Sequence, residues 1–145
     1  MSEPRNARLA VVAGVIYDRH RQHILIAKRP AHLHQGGLWE FPGGKVADGE
    51  DARAALAREL FEELAISVVE CVQLRTVHHD YTDKAVALDV WEVTDFSGVP
   101  AGNEGQEIAW VAVADLSGYA FPAANREVLE YLARAQASVS MRCGP

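Results

Sequence analysis

The chain is poor in cysteine and carries no surplus of positive charge. It has two cysteines in 145 residues, Cys71 and Cys143. Their number and spacing exclude a disulfide framework and give no zinc-ligand pattern. Two reduced thiols in a cytoplasmic protein are the expectation. Fourteen Lys and Arg face twenty Asp and Glu, for a formal net charge of −6. Binders of polymeric DNA or RNA usually carry a basic stripe, so that class is set aside. A single nucleotide is not, because a divalent cation and one or two basic side chains neutralise it locally. No apolar run approaches the roughly 20 residues a membrane helix needs. Residues 1–8 (MSEPRNAR) lack the apolar core of a signal peptide. Repeats and low-complexity segments are absent. Apolar residues make up 49% of the chain, enough for one buried core.

The expected organisation is an N-terminal arm (1–8), one domain (9–136) and a flexible tail (137–145). Leu9–Tyr17 (LAVVAGVIY) is apolar on both faces and reads as a buried strand. A polar turn at 18–22 leads to a second strand, His23–Lys28, forming a hairpin with the first. Pro30–Leu38 reads as a loop. Trp39–Lys45 reads as a short strand running into a Pro-Gly-Gly turn, where positive φ favours glycine. Asp51–Leu64 is the strongest helix, with Asp48, Glu50 and Asp51 placed to cap its start. Further strands are expected within Ser67–His78, Ala85–Val93 and Ile108–Val113, with Ser97–Gln106 as a loop. A second helix is expected from about Pro122 to Gln136, with Val128, Leu129 and Leu132 on one side. Strands flanked by two separated helices predict an α/β (α+β) domain, a mixed sheet between helical layers.

At about 100° per residue, Leu56, Leu60 and Leu64 form the apolar stripe of the first helix, widened by Ala57 and Phe61. Glu59, Glu62 and Glu63 fall together on its flank. A solvated acidic face is the ordinary reading of such a cluster. Against it, like charges at this spacing destabilise a helix. Two carboxylates about 5 Å apart, at an effective dielectric near 20, repel by roughly 3 kcal/mol. No Lys lies one turn away, and Arg58 is the near cation. A bound cation turns the repulsion into affinity, and hard oxygen donors suit Mg²⁺, with Mn²⁺ as a substitute. Such a site fits phosphate chemistry.

The segment Gly44 to Ile66, GKVADGEDARAALARELFEELAI, resembles the Nudix box. Gly44, Glu50, Arg58, Glu59, Leu60, Glu62, Glu63 and Ile66 match it; Ala65 stands where the family prefers glycine. At that position Ala costs little unless φ is positive. The resemblance implies the Nudix fold, a mixed β-sheet sandwiched between α-helices. It also implies divalent-metal binding by Glu59, Glu62 and Glu63, with a carbonyl of Gly43-Gly44 as a further ligand. Glu50 and Arg58 are expected to brace the loop and helix.

Outside the box, residues 8–133 look like the MutT branch, the diphosphatases for oxidised guanine nucleotides. That resemblance adds Glu104 as a metal or catalytic group beside Glu59, Glu62, Glu63 and Arg58. It implies that Arg29, His34, Glu40, Phe41, Lys45, Tyr81, Asp83, Lys84 and Asn125 face the substrate. Arg29 would meet phosphate, Phe41 the purine, and Asn125 the guanine edge. Each has a plainer reading. Arg29 is also a strand-end charge, Phe41 and Tyr81 are also core aromatics, and Asn125 is also a helix cap.

The expected activity is hydrolysis of a nucleoside triphosphate, 8-oxo-dGTP first, to a monophosphate and pyrophosphate. CTP or a modified pyrimidine triphosphate is the nearest alternative, since Gly37–Phe41 (GLWEF) also resembles those enzymes. A catalytically silent nucleotide-binding module is another. A monomer or weak homodimer is expected, with no membrane partner.

Overall fold

The computed structural model describes residues 9–30, 36–82 and 84–142, with side chains described as far as Gln136. Its organising element is β1 (Leu9–Tyr17), whose side chains alternate between two cores. Val12 and Ile16 point to one side, where they meet Leu56, Leu60 and Leu64 of α1 (Ala52–Leu64). Ala13 and Val15 point to the other, where they join Val128 and Leu132 of α2 (Arg126–Arg142). β2 (His23–Lys28) behaves alike, with Leu25 in the first core and Ile24 and Ile26 in the second. The continuous apolar runs of both strands are thus explained by burial on two faces.

Among the described residues the sheet has seven strands. The remaining five are β3 (Trp39–Glu40), β4 (Gly43–Lys45), β5 (Ser67–Asp80), β6 (Ala85–Ser97) and β7 (Ile108–Ala112). The main order is β3-β2-β1-β6-β5, with β4 also on β1 and β7 also on β2. β1 runs parallel to β6, so the sheet is mixed as expected. The β1–β2 hairpin forms, but its register covers Ile16↔Leu25 and Tyr17↔Ile24. The two strands then part, and β4 takes the freed edge of β1.

Several expectations need correction. The strand expected over Trp39–Lys45 is broken at Phe41-Pro42 into β3, paired with β2, and β4, paired with β1. Pro42 has no N–H for a ladder, and its carbonyl accepts from Gly14 N–H at 2.8 Å. Gly43 and Gly44 are strand residues and are not among the positive-φ glycines. Space is what they provide: a Cβ on Gly43 would overlap the Val12 carbonyl, and one on Gly44 the Glu59 carboxylate. Phe61 is 60% exposed, and Ala55 is buried beside Leu56, Leu60 and Leu64, so the buried stripe of α1 includes Ala55 and leaves out Phe61. The second helix begins at Arg126, after a 3₁₀ turn at Ala123–Asn125. It continues through Arg142, past the expected end at Gln136, because no Gly or Pro interrupts it there.

Candidate functional site

The acidic helix is held at both ends. At its start the Asp51 carboxylate accepts from Ala54 N–H at 2.9 Å. At its end Ala65 adopts the left-handed conformation, φ 60, and donates to the Phe61 carbonyl. The positive φ that would make alanine costly is therefore present.

Arg58 is the hub of the helix's polar flank. Its guanidinium grips Glu50 through two bonds of 2.9 and 3.0 Å. It also donates to Glu59 Oε1 at 3.0 Å, to the Lys45 carbonyl at 3.0 Å, and reaches Glu62 at 3.3 Å. The bond from Arg58, helped by Ala47 N–H, holds the Glu50 carboxyl down at about 2. Hydrogen bonds to Glu50 and Glu59 push the Arg58 guanidinium above its ordinary value, so its charge is permanent. Bracing by Glu50 and Arg58 is thus visible in the geometry.

Glu63 lies in a different environment. Its Oε2 is buried without a hydrogen-bond partner. Burial, then the charges of Glu40, Glu59 and Glu104, pushes its carboxyl up to about 8, against the pull of Gly43 N–H. Burial also raises Glu59, opposed by Arg58, and raises Glu40, opposed by Arg29. Four carboxyls from α1, β3 and the 98–107 loop thus converge closely enough to resist sharing negative charge. Among the described residues no three His, Cys, Asp or Glu side chains already form a metal cage. The donor set nevertheless fits a hard divalent cation: carboxylate oxygens in excess, one orphaned and buried, beside a glycine strand with no Cβ in the way.

Next to these carboxylates is a cleft of about 190 Å³. Arg29, Glu40, Phe41, Lys45, Tyr81, Lys84 and Asn125 all line it, although the first and last are 96 positions apart in sequence. Val11, Ala13, Val86 and Leu88 form apolar wall that carries no sequence motif of its own. His34 and Asp83 lie outside the described residues.

Arg29 Nη1 donates to Glu40 at 3.0 Å, so it is more than a strand-end charge. Phe41 is 3% exposed, its ring packed on Phe121 at 5.2 Å between centroids, and it belongs to the core as well as to the cleft. Tyr81 accepts a hydrogen bond from Ala124 N–H through its hydroxyl, at 3.1 Å, and so ties the β5–β6 connection to the turn before α2. Asn125 is 6% exposed and, among the described residues, is the only polar residue buried as a whole. It lines the cleft at the turn that leads into α2.

Sequence reasoning missed Asn103 and Gln106. Both donate side-chain N–H groups to carbonyls at the end of α1, at 3.0 and 3.1 Å. The available signal was amide residues in a loop beside a helix end that needs capping.

Comparison with known proteins agrees with this geometry. The NUDIX domain family model matches residues 12–131. The 8-oxo-dGTP diphosphatase of Proteus vulgaris is 47% identical over 98 residues, 68% of this chain and 87% of that protein. The CTP pyrophosphohydrolase of Escherichia coli K12 is 37% identical over 122 residues, 84% of this chain and 89% of that protein. A solved MutT structure, from work on Aliivibrio salmonicida and Vibrio cholerae, superposes with a TM-score of 0.77 at 44% identity, covering 87% of this chain and 97% of that one.

Proposed function

The chain belongs to the NUDIX domain family and is a Nudix hydrolase, and from that premise we propose that it hydrolyses 8-oxo-dGTP to 8-oxo-dGMP and pyrophosphate. Clearing an oxidised precursor in the cytoplasm is the corresponding role. Asn125 is the observation that carries the substrate. It is a nearly buried amide in the wall of an otherwise largely apolar part of the cleft. The amide both donates and accepts, which matches the mixed edge of a guanine-like base. The relatives named 8-oxo-dGTP diphosphatase support the same reading.

In this reading Glu59, Glu62 and Glu63 hold Mg²⁺, or Mn²⁺, with a carbonyl of Gly43 or Gly44 as a further oxygen donor. When bound, the cation supplies charge neutralisation at the phosphates and Lewis-acid activation of water. Arg58 keeps Glu59 and Glu62 from swinging apart and is a positioning residue. Arg29, Lys45 and Lys84 bring positive charge to the phosphates. Glu104, in no ion pair among the described residues, is left to take the proton of the attacking water. Phe41 and Tyr81 give the base an apolar wall.

The similarity to a CTP pyrophosphohydrolase supports one rival, a pyrimidine triphosphate substrate. Asn125→Ala separates the two. Under the guanine reading it lowers kcat/KM for 8-oxo-dGTP by about 10–100-fold, as expected for a lost hydrogen bond to a buried group, and spares CTP. Equal loss on every nucleotide would reduce Asn125 to a structural role.

A further inference from the structure

We propose that Gln106 and Asn103 are positioning residues that clamp Glu104 to the end of α1; the inference rests on the hydrolase site proposed above. A helix leaves its last carbonyls without intrahelical partners. Here the loop that carries Glu104 supplies them. Ala101 N–H donates to the Leu64 carbonyl at 3.0 Å, and Asn103 N–H to the Glu63 carbonyl at 2.9 Å. The Asn103 side chain donates to the Glu62 carbonyl at 3.0 Å. Gln106 Nε2 donates to the Glu63 carbonyl at 3.1 Å, while its Oε1 accepts from Glu104 N–H at 2.9 Å.

One amide side chain therefore links the backbone of Glu104 to the backbone of Glu63. The two side-chain amides engage the carbonyls of Glu62 and Glu63, two of the three residues whose carboxylates form the acidic edge. Loop and helix thus share a single scaffold, and Glu104 cannot move relative to Glu62 and Glu63 without breaking it. The path is tight: a Cβ on Gly102 would overlap the Gln106 carbonyl, and Gly105 has φ +83. Glu104 comes close enough for its charge to act on both Glu59 and Glu63.

A plain helix cap makes the same bonds but has no reason to affect turnover. Three variants, Gln106→Ala, Glu104→Gln and the double substitution, tell the roles apart in steady-state hydrolysis of 8-oxo-dGTP with Mg²⁺. The clamp predicts that Gln106→Ala lowers kcat about tenfold, the scale of one lost hydrogen bond, with KM within about twofold. In the Glu104→Gln background Gln106→Ala then has little further effect, because the two act as one unit. In the metal-free protein, amide exchange at Glu104 accelerates in Gln106→Ala while that at Leu60 does not. Should Gln106→Ala fail to fold, Asn103→Ala takes its place with the same expectation. An unchanged kcat, or the same loss with and without Glu104, overturns the clamp. If Glu104→Gln is itself fully active, the assignment of Glu104 fails instead.

Discussion

Replacing Glu63 by glutamine removes the carboxyl that burial pushes furthest toward neutrality, and it should remove most of the pH dependence of stability in the metal-free protein between pH 5 and 8. In the unfolded chain this group titrates near 4.5, and in the fold near 8. Below the lower value it is protonated in both states and contributes nothing. Between them the folded protein holds a proton that the unfolded chain has released, so stability falls as pH rises, and the full penalty is reached above 8. The difference corresponds to about 5 kcal/mol at most. Relaxation of the carboxylate edge and water entry reduce this to roughly 2–4 kcal/mol. Glu40 and Glu59 are raised too and act in the same sense. Glu50 is depressed, so its contribution is lost only as pH falls from 4.5 toward about 2, outside the window. Urea unfolding followed by tryptophan fluorescence in EDTA, at each pH from 5 to 8, measures the slope. The wild type should lose stability with rising pH, and Glu63→Gln should be the flatter curve and the more stable protein at pH 8. Adding Mg²⁺ at pH 8 should stabilise the wild type more than the variant, since a cation that binds the fold shifts unfolding by mass action. Parallel slopes for the two proteins would refute the reasoning.

The glycines and the helix exit give further tests. Gly44→Ala directs a methyl at the end of the Glu59 side chain, which can shift where backbone cannot, so its melting temperature should change little while kcat falls at least about tenfold. Gly43→Ala directs the same methyl at the Val12 carbonyl, a backbone atom that cannot step aside. It should cost about 1–3 kcal/mol or more in urea unfolding. Ala65→Gly relieves the left-handed alanine; after the entropy of a freer unfolded chain, a net gain of about 0.5–1 kcal/mol is expected, with kcat unchanged. A lower melting temperature would contradict that account.

The fold was legible wherever one segment's pattern decided the outcome. A nine-residue run apolar on both faces read as a strand covered on both sides, and Leu56, Leu60 and Leu64 marked the buried stripe of α1. What depended on distant partners was not legible. Pro42 breaks a strand because β1 stands ready to take its second half, and Gly43 and Gly44 look like turn residues until that strand and Glu59 are seen beside them. Phe61 lies outside the core and Ala55 inside it, because the edge of the buried stripe depends on what the sheet presents to α1, which the helix's own periodicity does not report. For the site, the Nudix-box pattern picked out the acidic edge and its bracing arginine. The cleft gathers Arg29, Phe41, Tyr81, Lys84 and Asn125 from remote segments. The Arg29–Glu40 pair arises from tertiary approach and has no local signature, and for Asn103 and Gln106 the only local sign was amide side chains in a loop, without the helix end they cap.

The central claim is the substrate, and release of pyrophosphate tests it most directly. Wild-type protein with Mg²⁺ should be assayed against 8-oxo-dGTP, dGTP, CTP, dCTP and 5-substituted pyrimidine triphosphates. A kcat/KM for 8-oxo-dGTP well above all the others is the predicted result. A pyrimidine triphosphate as the best substrate would contradict the role given to Asn125 and leave the Nudix chemistry attached to a different base.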